Sequence, residues 1–421
     1  MLEGDAMKNN IVFCISAYYH NLLSTIYSFQ LQKNNYKIYA IFFENNRYSF
    51  SNSGIWNKVY KLRRFNDRSL RKILFDKENM LEIVHKQLSD YKSVLENFSP
   101  KNTIIYNFTE YDLSNYLFMD IAYKMGFDII LNEEGIGTYV VQNFSKKALD
   151  SFIIEKFWKK NLKLEEMIVD SPWDAKFGIK SLDVFFRFPE YKILSYVLNT
   201  SNLTISRFQN KIYRVNLLNE NSFKEIKNNL EKYIYWENIS SKFNRKYECM
   251  IFLTHFKKKD TFYRLYEKVL RACNINNIRK VIIKTHPLNT SEELKLIENI
   301  CFRLRINCDI ITEKVSGEFL AFIYEPRFVI SYYSSVSWFC QNIPNVHSLM
   351  VYNLEKSENT KYIKNSEKII DFSKTNLIIP KSFDDLVHVL SHKNPESKNT
   401  DSLNKNWDFE NIVEFLQNLR I

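Results

Sequence analysis

Glycine is scarce in this chain, with seven among 421 residues, and proline hardly commoner at eight. That poverty excludes glycine-rich linkers, collagen-like repeats and proline-rich recognition segments, and the G-x-G-x-x-G fingerprint of dinucleotide loops is absent. The six cysteines show no C-x-x-C spacing, which argues against a disulfide framework or a structural zinc and for reduced thiols buried as small hydrophobes. No apolar run approaches the roughly 20 residues that cross a bilayer, and the N-terminal residues lack the basic-then-apolar order of an export signal. A cytoplasmic protein is expected. There is no Asp-x-Asp motif and no His and carboxylate cluster with ligand spacing, so metal-independent chemistry is expected as well.

What the chain does hold is apolar and basic. Hydrophobic residues make up 45% and aromatic residues 15% of a length that exceeds one ordinary domain, so two domains with sizeable cores are expected. The formal net charge of +11 favours a negatively charged partner: nucleic acid, an anionic membrane surface, or an acidic polymer or nucleotide. No nucleic-acid module accompanies the short basic clusters Arg63-Arg64, Lys159-Lys160 and Lys257-Lys258-Lys259, which read as solvated surface. Nucleic acid is therefore not an expected partner.

Short apolar runs alternate with amphipathic segments, the pattern of βαβ units around a parallel sheet. Residues 11–15, 37–43, 103–106 and 127–131 read as strands, with helices over 22–32, 80–98 and 113–125. From 144 to 236 the pattern turns mostly helical, clearest over 223–235, and a polar stretch follows from 237 to 246. The alternation then resumes, with strands over 249–253, 280–284, 309–312 and 328–331 and helices over 261–273 and 292–303. The expected architecture is α/β of the GT-B type, two doubly wound Rossmann-like domains facing across a cleft. The expected boundaries are 7–240 for an acceptor-side domain and 241–403 for a nucleotide-sugar domain, with a terminal helix in 404–421 packing back on the first.

In open parallel sheets ligands bind beyond the carboxyl ends of the strands, and three motifs lie there. Two of the seven glycines fall in Glu133-Glu134-Gly135-Ile136-Gly137-Thr138-Tyr139, directly after a strand. Glycines so rationed imply positive φ or close approach to a ligand, and the adjacent acids, pointing different ways, offer a base. The strand 281–284 runs into Lys284-Thr285-His286-Pro287, where the proline restricts His286 and the histidine offers a proton or a phosphate ligand beside a fixed charge. Ser334-Ser335 follows a third strand and opens a helix, a setting suited to an anion. Taken singly, each motif also fits a plain structural use: a solvated turn, a hydrogen-bonded turn histidine, an N-cap. Two further histidines, His255 beside Thr254 and His20, stand just past strands; the rest read as helix or surface residues.

In this order the three motifs resemble those of the bacterial capsular polysialyltransferases, whose acid-acid-Gly loop, often extended as Glu-Glu-Gly-x-Gly-Thr-Tyr, is followed by Lys-x-His-Pro and Ser-Ser. Lipooligosaccharide sialyltransferases share the plan with an Asp-Asp-Gly loop, and the paired glutamates here fit the capsular group better. The resemblance implies a GT-B fold, CMP-sialic acid as donor with no other cofactor, inversion at the anomeric carbon, and no metal. It implies Glu134, or else Glu133, as general base on the acceptor hydroxyl, with Gly135, Gly137 and Thr138 as the acceptor loop. His286 would assist the departure of CMP, as acid or as cation, and Ser334 and Ser335 would hold the phosphate with Lys284, Pro287 and Thr254 around them. The partners implied are an acidic oligosialic or polysialic acceptor and a capsule-synthesis complex at the inner face of the cytoplasmic membrane. Two other readings stand beside it: a monosialyltransferase of lipooligosaccharide or a Kdo-type transferase, and a non-catalytic polyanion-binding member of a capsule complex. The last explains the charge but not three strand-end motifs.

Overall fold

The computed structural model describes residues 8–44, 54–65, 77–110, 113–142, 160–161, 168–170, 185–199, 203, 205, 208–218, 220–233, 246–313, 315–355, 360–392 and 407–419. The chain divides into two compact units, one of Met1–Asn199, Thr204–Asn219 and Trp407–Ile421, the other of Thr200–Leu203 and Glu220–Asn406. Each is built on its own parallel sheet.

In the first unit β1 (Asn10–Ile15) leads to α1 (Tyr18–Gln32), β2 (Lys37–Glu44), β3 (Lys58–Arg63) and α2 (Lys77–Leu95). Then come β4 (Thr103–Asn107), α3 (Leu113–Lys124), β5 (Asp128–Asn132), α4 (Ile136–Gln142), β6 (Ile168–Asp170), β7 (Phe185–Arg187), β8 (Ser195–Leu198) and β9 (Ile212–Arg214). Seven strands pair in the order β3-β2-β1-β4-β5-β8-β9, while β6 and β7 form a separate antiparallel pair. The continuous apolar runs belong to strands covered on both faces: Ile11 to Ile15 and Ile104 to Tyr106 are buried throughout. Phe13 sits at the centre, its ring 5.2 Å from Tyr106, 6.0 Å from Phe108 and 6.2 Å from Trp56.

The second unit runs α5 (Glu220–Tyr233), β10 (Cys249–Phe252), α6 (Lys259–Ile275), β11 (Lys280–Lys284), α7 (Ser291–Arg303), β12 (Asn307–Ile311) and α8 (Gly317–Tyr324). It continues with β13 (Phe328–Ser331), α9 (Ser335–Cys340), β14 (His347–Met350), α10 (Thr360–Ile369) and α11 (Phe383–Ser391). Its sheet order is β12-β11-β10-β13-β14. The last helix, α12 (Ile412–Asn418), packs on α1 of the first unit, and Phe409 before it pairs with Val215 just beyond β9.

The structure departs from the sequence pattern in the middle of the chain. Where 144–236 reads as mostly helical, its described residues include β6, β7, β8 and β9, and two of these extend the first sheet. These strands have three or four residues each, too short to show a period. β3 carries no continuous apolar run, because Lys58, Lys61 and Arg63 interrupt its apolar residues, which suits its place at the sheet edge. The helix α5 groups with the second unit, ahead of the boundary expected near 240, because Phe223 packs its ring 4.8 Å from Phe322 of α8. The polar stretch over 237–245 lies outside the described residues.

Both sheets reverse their strand order at the first strand of the unit: β1 lies between β2 and β4, and β10 between β11 and β13. Side chains just past β1, β4 and β5, and just past β10, β11 and β13, therefore gather at the carboxyl edge where such sheets bind ligands.

Candidate active site

The carboxyl edge of the first sheet is built around Glu134. A buried polar network anchors the end of β5: the hydroxyls of Tyr27 and Tyr106 donate to Asn132 Oδ1 at 3.2 and 2.8 Å. Asn132 Nδ2 in turn donates to the Glu133 carbonyl and to Asn199 Oδ1. The Glu133 backbone N–H donates to the Val197 carbonyl at 2.9 Å, tying the loop to β8. Its side chain turns inward, 1% exposed, and accepts from the Tyr139 hydroxyl. Glu134 turns the other way, with its side chain 34% exposed. Thr109, just past β4, donates its hydroxyl to Glu134 Oε2 at 2.8 Å, and the Glu134 N–H is captured by Thr138 Oγ1 at 2.7 Å. His20 Nε2 lies 3.6 Å from Glu134 Oε1.

The two glycines of this loop differ. Gly135 has φ of 116°, a conformation closed to side-chain-bearing residues, and frees the turn from β5 into α4. Gly137 has no such constraint, and a Cβ placed there meets nothing within 4 Å. Positive φ is thus the reason for glycine at Gly135, while at Gly137 a side chain would find room among the described residues. Gly135→Ala should cost about 1–2 kcal/mol of strain, whereas Gly137→Ala should leave the denaturation midpoint unchanged or raised by helix propensity. Urea unfolding of the two variants checks this, and equal destabilisation would contradict it.

At the second sheet, β10 aligns Phe252 with Lys284 of β11 on one side and Ser331 of β13 on the other, so the three following loops start level. The imidazoles of His255 and His286 stack with centroids 6.5 Å apart. The His286 loop is a turn: Asn289 N–H donates to the His286 carbonyl at 2.9 Å, with Pro287 second in the turn, where its fixed φ is favoured. Asn289 Oδ1 receives the His286 N–H at 2.7 Å and its amide donates to Glu293. Glu293 and Thr290 form a full capping box at the start of α7, so the turn is fastened to the helix. His286 Nδ1 accepts from Leu288 N–H at 3.2 Å, which leaves the ring proton on Nε2. Burial, then the neighbouring His255 and Lys284, push the His286 pKa below the ordinary histidine value, with Glu293 opposing, so the ring is neutral at pH 7. Lys284 Nζ donates to the Thr285 carbonyl at 2.9 Å. Burial brings its pKa down to about 8, against the pull of Glu313.

Ser334 caps α9, its Oγ accepting from Val336 N–H at 3.2 Å while its own O–H stays available to donate. Ser335 opens the helix at intermediate burial. Beneath them Ser331 and Ser337 share a hydrogen bond of 2.7 Å, joining β13 to α9. Thr254 is half-buried and its N–H is spent on the Tyr266 hydroxyl at 2.6 Å, so the donor it can offer a phosphate is its side-chain hydroxyl. Pro287 has no N–H to offer a phosphate; its observed use is to shape the turn that presents His286.

Each unit thus gathers the residues singled out within it: Glu134 with Thr138 and both glycines in the first, and Lys284, His286, Thr254, Ser334 and Ser335 at one edge in the second. Thr109, Asn289 and Glu293 were not singled out. The Thr290-x-x-Glu293 spacing is legible as a capping box, but nothing in the sequence links Thr109 to Glu134. Among the described residues no group of three or more His, Cys, Asp or Glu side chains is arranged to hold a metal ion, and no helix is long and apolar enough to cross a membrane.

Comparison with known proteins adds two findings. A family model described as Alpha-2,8-polysialyltransferase (POLYST) matches residues 10–353. Among solved structures, the UDP-GlcNAc 2-epimerase of Methanocaldococcus jannaschii is similar over 98% of this chain and 98% of its own, at 14% identity and a TM-score of 0.55. A Listeria monocytogenes protein assigned as a UDP-N-acetylglucosamine 2-epimerase is similar over 93% of this chain and 89% of its own, at 8% identity and a TM-score of 0.53. No curated protein sequence matches significantly. At such identities the likeness shows fold alone, the two-domain GT-B type.

Proposed function

Because the chain belongs to the alpha-2,8-polysialyltransferase family, and so is a glycosyltransferase of the sialyltransferase kind, we propose that it moves sialic acid from CMP-sialic acid to an oligosialic or polysialic acceptor, extending a capsular polysaccharide. The transfer inverts the anomeric carbon and needs no metal ion. One observation carries this reading: of the paired glutamates, Glu134 alone presents its carboxylate at the carboxyl edge of the first sheet, held on one oxygen by Thr109, while Glu133 is spent inside.

Sialic acid leaves its phosphate through an oxocarbenium-like transition state, so catalysis requires a base for the incoming hydroxyl and stabilisation of charge on the departing phosphate. The chain carries one of these chemistries in each unit. Glu134 takes the proton of the acceptor hydroxyl as its oxygen bonds to the anomeric carbon. The phosphate of CMP leaves with the bonding pair and is met by His286 Nε2–H, the Lys284 ammonium and the hydroxyls of Ser334 and Ser335. The surplus positive charge suits an acceptor bearing one carboxylate per sugar. Work at the inner face of the cytoplasmic membrane, within a capsule-synthesis complex, belongs to the same proposal.

The test is release of CMP from CMP-sialic acid on addition of an oligosialic acceptor in the presence of EDTA, with NMR of the new linkage. Turnover that persists in EDTA with inverted configuration is expected; strict dependence on a divalent ion, retention, or preference for another CMP-sugar would overturn that part of the reading.

Lys284 makes a separate expectation. The folded protein holds its pKa near 8, so the ammonium is present below that pH and lost above it. CMP affinity should be flat to about pH 8 and then weaken by about tenfold per pH unit. Calorimetric titration of CMP across pH 7–9.5 reads this directly. Lys284→Met should bind weakly throughout with no such fall, and an unchanged profile in that variant would remove Lys284 from the phosphate site.

A further inference from the structure

Behind Glu134 stands a histidine that the proposed transfer does not yet use. His20 lies in the first turn of α1, 1% exposed, its ring stacked on Phe108 with centroids 5.3 Å apart and planes at 18°. The backbone N–H of Ser16 donates to His20 Nδ1 at 3.3 Å, and the Ser16 hydroxyl lies 3.1 Å from the same atom. A backbone N–H can only donate, so Nδ1 presents its lone pair and the proton of the neutral ring is on Nε2. Ser16 is itself fixed, its carbonyl accepting from Arg64 at 3.0 Å. Nε2 is buried and makes no hydrogen bond, yet it faces Glu134 Oε1 at 3.6 Å, just beyond hydrogen-bond reach. Buried donors are seldom left unpaired, and a shift of a few tenths of an ångström in a half-exposed glutamate would pair this one.

We propose that His20 is the positioning residue of the transfer base: its Nε2–H closes on Glu134 Oε1 when the acceptor binds. This rests on Glu134 being that base. With Thr109 on Oε2, the carboxylate is then gripped from both sides, its rotamer is set, and its remaining lone pairs are aimed at the acceptor hydroxyl. The proton of that hydroxyl stops at Glu134. It does not pass to His20, whose Nδ1 lone pair is taken up by Ser16 and whose Nε2 already carries hydrogen. Burial keeps the imidazole from touching the acceptor, so it acts through the carboxylate alone.

The test compares His20→Phe, which preserves the ring stack, and His20→Gln, which restores an N–H near the Nε2 position, each alone and combined with Glu134→Gln. His20→Phe should lower kcat by about 10²-fold, the cost of a misplaced catalytic group, with KM for CMP-sialic acid unchanged because its ligands lie in the other unit. His20→Gln should recover most of that loss. In the Glu134→Gln background His20→Phe should have no further effect, since its route to the reaction is gone. An equal loss in both backgrounds, or near-wild-type kcat in His20→Phe, overturns the proposal. If His20→Phe does not fold, His20→Gln against His20→Asn decides: a faster Gln variant supports it and equal rates overturn it. Full activity in Glu134→Gln alone would instead overturn the assignment of the base.

Discussion

Glu134→Gln should transfer sialic acid about 10²- to 10⁴-fold more slowly than the wild type, the range over which a positioned general base contributes. The substitution is nearly isosteric. The Gln carbonyl can still accept from Thr109, and the backbone N–H bond to Thr138 is untouched, so fold and loop should survive. On the proposed mechanism, what is lost is the ability to take the proton of the acceptor hydroxyl. The thermal midpoint and CMP affinity should therefore stay at wild-type values while kcat collapses. Glu133→Gln makes the contrast, because its carboxylate is buried against the Tyr139 hydroxyl and its loss is felt first as stability. Steady-state kinetics with a saturating acceptor checks both, and retained activity in Glu134→Gln would remove that residue from the mechanism.

His286→Ala should cost a comparable factor of about 10²- to 10⁴-fold if the ring donates a proton or a hydrogen bond to the departing phosphate. The neighbourhood decides how it acts. Its pKa is depressed by burial and by His255 and Lys284, and its Nδ1 is occupied by the Leu288 N–H, so the form at hand at pH 7 is a neutral imidazole donating through Nε2. The sign of the pH dependence follows. Were the imidazolium the working form, the rate would fall as pH rises through the ordinary histidine range near 6.5. With a neutral donor it should hold steady or rise between pH 6.5 and 7.5. Loosening the turn by Asn289→Ala should reproduce part of the loss, because Asn289 joins the His286 N–H to Glu293. A His286→Ala enzyme with wild-type kcat would end this role for the histidine.

The positions of the candidate residues were legible because they lie at strand ends, and long apolar strands such as those at Ile11 and Val281 mark their own ends. Glu134, His286 and Ser334 could each be placed past a strand without any fold in hand. What could not be read was the lateral order of strands. Thr109 reaches Glu134 only because β4 lies beside β5, and His20 only because β1 is the next strand over, neighbours that no local pattern announces. Strands of three or four residues at 195–198 and 212–214 escaped for a related reason, since their stability comes from pairing on β5 and on one another rather than from their own sequence. At Gly137 the chain itself makes no demand on the backbone, so of the two reasons that the scarcity of glycine implied, positive φ is seen only at Gly135.

The most direct test of the central claim is the length of the product. Incubated with CMP-sialic acid and a fluorescently labelled oligosialic acceptor, the protein should convert the acceptor into a ladder of longer species, resolved by chromatography and mass spectrometry as steps of one sialic acid, and Glu134→Gln should leave the label at its starting length. An acceptor that stays unextended across several lengths and linkages, in a folded protein that still binds CMP, would contradict the account.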